Sequence, residues 1–290
     1  MIPLDDGWIH VTEWGSPDAG MTVLLTHGWT LSGRLWETVA AAMVRADPSL
    51  RVIAYDHRGH GSSSRASAVS IERLADDLAA LTEKIVPRGP IVFGGHSMGG
   101  MTLMALAERH PQLVSQRTAG VVFVATSAGD LLGAIRRIPG TEALMVAALR
   151  PAAWVRMPSR PLPLLRQVAR GGFGKCPRRR DLNRAVQQSA QSDPRAVAAL
   201  GRSILRHSRY GALAAFRDVP VVVMAGTRDG LTSLYHARKI ADRLPGSRLV
   251  IFPDAGHFLP YERHQSVTAH LLKVTGDAQL AAVHEVEVAG

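Results

Sequence analysis

The sequence predicts an α/β fold, a mostly parallel, doubly wound sheet with helices on both faces. Short apolar runs typical of buried strands alternate along most of the chain with longer helix-like segments. Loops that carry glycine and polar side chains follow several of these runs. The 290 residues are 46% hydrophobic, which is ample for the core of one large domain or of two smaller ones. The alternation favours one sheet.

The predicted strands are runs rich in valine, isoleucine and leucine, at 22–26, 52–55, 91–93, 121–125, 219–225 and 248–252. Helix-like stretches at 101–109 and 233–244 each follow one of these strands. In open α/β sheets, ligands and catalytic groups gather at the carboxyl ends of the strands. We therefore expect the catalytic residues on the loops that follow the strands.

The loop after strand 91–93 carries a serine between two glycines, in the order Gly95-His96-Ser97-Met98-Gly99. Strand, tight turn and helix in this order form a nucleophile elbow, which holds a serine hydroxyl above the sheet. The backbone amide of Met98 would then face an incoming carbonyl group. The pentapeptide by itself is also compatible with an ordinary glycine-rich turn.

A serine hydroxyl needs a base, and that base needs a carboxylate to orient it. Asp229 follows strand 219–225, and His257 lies on the loop after strand 248–252. On this architecture the expected chain order is serine, then acid, then histidine. The sequence therefore predicts that Ser97, Asp229 and His257 form a catalytic triad.

With these residues, the chain resembles the α/β-hydrolase superfamily over about residues 8–273. Gly-His-Ser-Met-Gly-Gly at 95–100 is similar to the elbow of esterases and lipases. The stretches His27-Gly28-Trp29 and Asp56-His57-Arg58-Gly59-His60-Gly61 also match family motifs. Dehalogenases and most epoxide hydrolases of this fold carry aspartate at the elbow, so Ser97 argues against both, although His-Gly-Trp alone would suit an epoxide hydrolase.

The resemblance implies an oxyanion hole formed by the backbone N–H groups of Trp29 and Met98. It implies local structural roles, not proton transfer, for the remaining motif residues, which are His27, Gly28, Asp56, Arg58, Gly59, Gly95 and Gly99. No cofactor is expected.

Alternatives exist for two of the three catalytic positions. Some members of this superfamily place the acid after the preceding strand, which here would be Asp130. His264, two helical turns beyond His257, is a rival base. The single cysteine, Cys176, lies beside Lys175, which could activate its thiol, but a free thiol without a role is the simpler interpretation.

Between 129 and 217 the strand pattern stops, and prolines separate five helical candidates, at 142–155, 162–169, 181–191, 194–207 and 211–216. The resemblance implies that this insertion is a helical cap over the active site. We therefore expect a core domain of residues 1–128 and 218–275, a cap of residues 129–217 and a C-terminal tail of residues 276–290.

The positive charge is concentrated in the insertion. Residues 129–217 contain seventeen basic and four acidic side chains, a net charge of +13 within a chain of net charge +10. This surface could attract an anionic lipid membrane, an acidic carrier protein or a carboxylated substrate, or it could be solvated and have no partner. No nucleic-acid-binding motif accompanies the charge, so nucleic acid is not an expected partner.

Other classes of protein find no support in the sequence. The amino terminus lacks the pattern of a secretory signal, no apolar run is long enough to cross a membrane, and the single cysteine suits a reducing compartment, so we expect a cytoplasmic protein. No metal-binding motif and no glycine-rich phosphate loop is present, so no metal or nucleotide cofactor is expected.

The predicted function is hydrolysis of a carboxylic ester of a small molecule through an acyl-enzyme. The same triad could instead serve thioester or carbon–carbon bond hydrolysis, perhydrolase or haloperoxidase chemistry, or a biosynthetic tailoring step, because the cap selects the substrate. A ligand-binding protein without turnover is a further alternative.

Overall fold

We describe a computed structural model of the chain, which covers residues 1–65, 68–131, 147, 153 and 155–289, the last eight of these by their backbone alone. The strands are β1 (Ile2–Leu4), β2 (Gly7–Ile9), β3 (Val11–Gly15), β4 (Met21–Thr26), β5 (Leu50–Tyr55), β6 (Ile91–His96), β7 (Thr118–Val124), β8 (Val221–Gly226) and β9 (Arg248–Phe252).

The described α-helices are α1 (Glu37–Ala46), α2 (Ile71–Ile85), α3 (Met98–Arg109), α4 (Pro111–Arg117), α5 (Leu162–Arg170), α6 (Arg179–Gln191), α7 (Pro194–Arg206), α8 (Leu234–Arg243), α9 (Leu259–Glu262) and α10 (His264–Ala289). Two 3₁₀ helices, at Gly33–Trp36 and Gly211–Phe216, complete the list.

The main sheet has seven strands in the order β3-β5-β4-β6-β7-β8-β9. All neighbours pair in parallel except β3, which runs antiparallel to β5 at one edge. Strands β1 and β2 form a separate antiparallel hairpin. The predicted α/β fold with a mostly parallel sheet is confirmed.

Side chains of the central strands alternate between two apolar cores, one on each face of the sheet. Phe93 of β6 and Phe123 of β7 contribute to the core that also contains α2 and α3. Val92 and Val122, one position earlier, contribute to the core against α1 and α10. Because both faces are covered, β6 and β8 are buried along their whole length and are apolar almost without interruption.

The segment between β7 and β8, which we call the inserted segment (residues 129–217), contains no strand among its described residues. Helices α5, α6 and α7 lie within a residue or two of their predicted limits, and the predicted helix at 211–216 is a 3₁₀ helix. The predicted helix at 142–155 falls almost entirely outside the described residues.

At the carboxyl end of the chain, α10 continues from His264 through the predicted boundary at 275 to Ala289. Within the described part of the chain, none of the helices has both the length and the apolar character needed to span a membrane.

A buried ion pair fixes the turn after β5 to helix α2. The side chain of Arg58 is 2% exposed, and it binds both carboxylate oxygens of Asp77, at 2.8 Å from Nε and 2.7 Å from Nη2. These hydrogen bonds outweigh burial and raise the pKa of Arg58. Asp6 adds a second carboxylate at 2.9 Å. The pair orders the turn that follows β5.

Replacement of Asp77 by alanine should destabilise the fold, because it leaves the Arg58 guanidinium buried without its main partner. A loss of about 3–5 kcal/mol in the free energy of unfolding is expected for a broken buried pair. Urea denaturation would measure it, with Glu83→Ala, at an exposed position of the same helix, as the control. The control should change stability by about 0.5 kcal/mol or less. Equal stabilities for the two variants would contradict this interpretation.

Candidate active site

Ser97 occupies a strained turn between β6 and α3. Its backbone angles are φ +53° and ψ −119°, in a region where a residue other than glycine is uncommon. Such a conformation costs about 1–3 kcal/mol and persists only where the surroundings enforce it. Here the amide of Ser97 donates to the carbonyl of Val124 at 2.9 Å, and the hydroxyl of Thr126 donates to the carbonyl of Ser97 at 2.7 Å. Val124, the last residue of β7, and Thr126, just after it, thus hold the turn.

Close backbone approach explains the glycines around this serine. A Cβ atom on Gly95 would lie 2.7 Å from the Cα of Gly100, and one on Gly99 would lie 2.4 Å from the carbonyl oxygen of Thr26. A Cβ atom on Gly28 would lie 3.1 Å from the Cβ of Ser97. The loop after β4 therefore packs directly against the serine turn.

His257 lies on the loop after β9, and a hydrogen bond joins that loop to the serine turn. The Nε2–H group of His96 donates to the carbonyl of His257 at 2.9 Å, and the two rings have centroids 4.9 Å apart. Burial, and secondarily the neighbouring His257, lower the pKa of His96 to about 3. His96 is therefore neutral. Because His96 directly precedes Ser97, this hydrogen bond keeps the loop of His257 next to the serine turn.

Asp229 accepts a hydrogen bond from Nδ1 of His257 at 2.8 Å. The same carboxylate accepts from the amides of Leu231 and Thr232, both at 2.8 Å, and from the hydroxyl of Thr232 at 2.9 Å. Burial raises the pKa of Asp229, but the attraction of His257 and these hydrogen bonds outweigh burial and hold it below its usual value. Asp229 is thus a buried, ionised and fully partnered carboxylate.

The structure also reveals a residue that the sequence analysis missed, Thr232. Its hydroxyl lies 2.9 Å from Oδ2 of Asp229 and 3.3 Å from Nδ1 of His257, so it touches both members of the pair. The signal in the sequence was available, because an aspartate that accepts amides two and three residues later is a common loop motif.

The two amides predicted to bind an oxyanion come from the residue after Ser97 and from the loop that packs against the serine turn. Met98 is the first residue of α3, where backbone N–H groups lack acceptors within the helix and the helix dipole is positive. Trp29 follows Gly28, and its indole Nε1 donates to the carbonyl of Val197 in α7 at 2.9 Å. Within the described part of the chain, neither backbone amide donates a hydrogen bond to the protein.

Three buried histidines fix the loop that carries Trp29. The amide of His57 donates to Nε2 of His27 at 2.8 Å, which leaves Nδ1–H of His27 to donate to the carbonyl of Gly28 at 2.8 Å. The amide of Thr30 donates to Nε2 of His60 at 3.3 Å. Burial lowers the pKa of all three, to about 3 for His57 and about 4 for His60. The three histidines are therefore neutral, and their hydrogen bonds to backbone groups fix the loop of Trp29 to the turn after β5.

The turn after β5 has a similar supporting geometry. Asp56 accepts from the amides of Gly33 at 2.7 Å and Ser62 at 2.8 Å, which ties the turn to the loop after β4. Gly59, at φ +76°, accepts from the amide of Asp193 at 2.8 Å, and a Cβ atom there would lie 2.2 Å from the Cβ of Ala196. Helix α7 of the inserted segment therefore docks on this glycine.

The rival residues lie in other surroundings. Asp130, after β7, pairs with Nζ of Lys239 at 3.0 Å, and not with His257. His264 begins α10, and none of the hydrogen bonds or ring contacts of the described residues joins it to Ser97 or Asp229. Cys176 carries an exposed free thiol. Of the candidate acids and bases, the structure brings Asp229 and His257 together.

A cavity of about 350 Å³ adjoins the three loops of the site. Leu231 comes from the Asp229 loop, Phe258 from the His257 loop, and Thr30 and Leu31 from the Trp29 loop. The other lining residues come from the inserted segment and are Met157, Pro158, Leu165, Val168, Ala169, Gly171, Gly172, Ala185, Val186 and Ser189. The described lining carries no ionisable side chain, so the cavity suits an apolar group.

The basic side chains lie outside this lining. Arg178 pairs with Asp181 at 2.6 Å, and Arg209 pairs with Glu108 at 2.7 Å and also with Glu72. Residues 155–161, which include Arg156 and Arg160, are all exposed. No side chain of α5 is fully buried either. Among the described residues, the basic side chains of the inserted segment therefore do not line the cavity.

The described residues contain no group of three or more histidine, cysteine, aspartate or glutamate side chains that could hold a metal ion.

Comparisons with known proteins identify the family of this chain. The family model for the alpha/beta hydrolase fold matches residues 22–264. A 2-(acetamidomethylene)succinate hydrolase of Mesorhizobium japonicum is 28% identical, over 87% of this chain and 85% of its own. A pimeloyl-[acyl-carrier protein] methyl ester esterase of Neisseria meningitidis is 30% identical, over 89% of this chain and 77% of its own.

Among solved structures, a thermophilic esterase from Thermogutta terrifontis superposes with a TM-score of 0.75 at 24% identity, over 93% of each chain. That likeness concerns the fold. The family match extends across both the elbow and the loops after β8 and β9. The chain therefore belongs to the alpha/beta hydrolase family, and it is a hydrolase.

Proposed function

We propose that this protein hydrolyses carboxylic esters through a covalent acyl-enzyme, with Ser97 as nucleophile, His257 as general base and acid, and Asp229 as the carboxylate that orients the histidine. The observation that carries the proposal is the 2.8 Å hydrogen bond from Nδ1 of His257 to a buried, ionised Asp229, on a loop joined to the serine elbow. The Neisseria relative, which is named a methyl ester esterase, supports ester chemistry.

In the acylation step, Oγ of Ser97 attacks the ester carbonyl carbon while Nε2 of His257 takes its proton. Nε2 is the ring nitrogen with a lone pair, because Nδ1–H is donated to Asp229. Asp229 stabilises the imidazolium that forms without taking the proton itself. The tetrahedral intermediate then collapses, the carbon–oxygen bond to the alcohol breaks, and His257 protonates the leaving alkoxide.

In the deacylation step, His257 removes a proton from water, whose oxygen attacks the acyl carbonyl. The second tetrahedral intermediate releases the carboxylic acid and returns the proton to Ser97. In both intermediates the negative oxygen would accept from the amides of Trp29 and Met98. Loss of one such donor costs about 3–4 kcal/mol of transition-state stabilisation in serine hydrolases.

The shape and chemistry of the cavity favour an apolar acyl or alcohol group of limited length. Its described lining is aliphatic and aromatic apart from Thr30 and Ser189, and much of it comes from α5 and α6. The inserted segment would thus act as a cap that selects the substrate. Thioester or carbon–carbon bond hydrolysis and peroxide chemistry would use the same triad. Membrane contact through the basic surface stays a prediction.

Replacement of Ser97 by alanine should abolish ester turnover and leave the fold intact, because it removes the nucleophile without adding bulk. We would assay p-nitrophenyl esters from acetyl to palmitoyl with wild type and variant, and compare their thermal unfolding. Wild-type turnover should peak at one chain length and fall by at least about 10³-fold in the variant.

A folded Ser97→Ala protein with normal turnover would refute the mechanism. If wild type hydrolyses no ester but Ser97 reacts with a fluorophosphonate, the triad is active and the leaving group is of another class. Thioesters and acidic metabolites are then the next substrates to assay.

Replacement of Asp229 by asparagine should lower kcat by about 10³- to 10⁴-fold, because the amide no longer holds Nδ1–H of His257 in the required tautomer. The matched control is Asp130→Asn, which alters the rival acid and its ion pair with Lys239. The control should retain kcat within a few-fold. A larger loss in Asp130→Asn than in Asp229→Asn would reassign the acid to the loop after β7.

Replacement of Ala169 by phenylalanine should shorten the preferred acyl chain, because it fills part of the cavity of about 350 Å³. Relative to wild type, kcat/KM for the longest accepted ester should fall by about 10-fold or more, while that for the acetyl ester stays within about twofold. Ala215→Phe, at an exposed position of the second 3₁₀ helix, is the control. An unchanged chain-length profile would exclude this cavity as the acyl site.

A further inference from the structure

The loop that carries His257 is bound directly to the backbone of the inserted segment just after α5. The amide of His257 donates to the carbonyl of Gly172 at 2.8 Å, and the amide of Lys175 donates to the carbonyl of Asp254 at 2.9 Å. A Cβ atom on Gly256 would lie 2.4 Å from the backbone carbon of Phe173. The two segments are therefore in backbone contact along several residues.

One carboxylate bridges these two segments. Oε2 of Glu262, in α9, accepts from the amide of Gly174 at 2.7 Å, and both of its carboxylate oxygens lie 3.1 Å from the amide of Gly256. Gly174 belongs to the inserted segment, and Gly256 immediately precedes His257. Glu262 is thus a third point of attachment, formed by a side chain that neither loop supplies.

The surroundings of this carboxylate show what it contributes. Burial raises the pKa of Glu262, and the hydrogen bonds from the amides of Gly256 and Gly174 partly oppose that shift by favouring the charged form. Without the carboxylate, both amides would lose this acceptor. A buried N–H group without an acceptor costs about 1–3 kcal/mol, so the two loops would separate or rearrange.

The same junction touches the cavity. Phe173 stacks on Phe258 with ring centroids 4.4 Å apart, and Phe258, Gly171 and Gly172 line the cavity. The segment that the carboxylate fastens is therefore both part of the cavity wall and part of the support of His257. A change in the cavity wall after α5 would reach His257 through the hydrogen bond from its amide to Gly172. It would also reach the His257 loop through the hydrogen bonds that Glu262 accepts from Gly174 and Gly256.

We propose that Glu262 is a positioning residue, whose carboxylate fastens residues 172–175 of the inserted segment to the loop of His257 and so fixes the imidazole against Ser97 and Asp229. The proposal rests on the proposed function of His257. It assigns to Glu262 no contact with the substrate.

The experiment compares Glu262→Ala and Glu262→Gln with wild type, and uses Glu83→Gln, an exposed glutamate of α2, as the control for lost charge. Glutamine keeps one oxygen acceptor but presents an NH₂ group to the second amide, so it should retain part of the attachment. Backbone hydrogen exchange of residues 172–175 and 254–257 would report the attachment. The low-field NMR signal of the His257 Nδ1 proton would report its hydrogen bond to Asp229.

We expect amide exchange in both segments to accelerate in the order wild type, glutamine, alanine, while exchange in the central strands stays unchanged. In the same order, kcat for the acetyl ester should fall, by about tenfold or more in Glu262→Ala, with KM within about twofold, because a misplaced base slows chemistry without weakening binding. The Nδ1 proton signal should weaken in the same order. Glu83→Gln should match wild type.

A folded Glu262→Ala protein with wild-type kcat, or with wild-type exchange in both segments, would overturn the proposal. So would a loss carried by KM alone, since that would place Glu262 in substrate binding. If the alanine variant does not fold, the same criteria apply to the glutamine variant. If wild type hydrolyses no ester, the proposed function fails, and the exchange rates with the Nδ1 proton signal still decide the role of Glu262.

Discussion

A serine held at positive φ, between the central strand and the helix that follows it, is the constraint on which the rest of this site depends. The turn at Ser97 is stable only because its neighbours enforce it, through Val124 at the end of β7, Thr126 just after it, and the close approach of Gly28 from the loop after β4. These contacts come from the two strands that flank β6 in the sheet. The strand order therefore places the loop that carries Trp29 against the serine turn, as the proposed oxyanion hole requires.

Backbone hydrogen bonds and neutral side chains, more than ion pairs, transmit this constraint to the other residues. His96, whose low pKa keeps it uncharged, carries the geometry of the serine turn to the carbonyl of His257. The neutral cluster of His27, His57 and His60 does the same for the Trp29 loop. In the proposed triad the negative charge lies on Asp229, which has four hydrogen-bond donors and lies where it can stabilise a positive imidazole.

The sequence predicted the fold and the order of the proposed triad, because strand-like runs and the loops after them are local features. It placed Ser97, Asp229 and His257 on those loops, and the structure brings Asp229 and His257 together. It missed the short β1 and β2, whose three residues each carry no recognisable period, and it missed Glu262. The side chains near Glu262 in the sequence do not reveal its partners, because both partners are backbone amides, one at Gly256 and the other 88 residues away at Gly174. Contacts made by glycine amides leave no side-chain pattern to read.

The inserted segment is attached to the sheet at both sides of the site, which links substrate selection to the proposed chemistry. On one side the amide of Asp193 binds Gly59 and Trp29 binds the carbonyl of Val197, so α7 is fixed to the loops after β4 and β5. On the other side, residues 172–175 are fixed to the loop of His257. Helices α5 and α6 contribute residues to the cavity wall, and the inserted segment that contains them is fixed by these two attachments. A substrate that displaces this wall would strain both the Trp29 loop and the His257 loop and so move the proposed base and the proposed oxyanion amides. The proposed site therefore favours a substrate that fits the cavity.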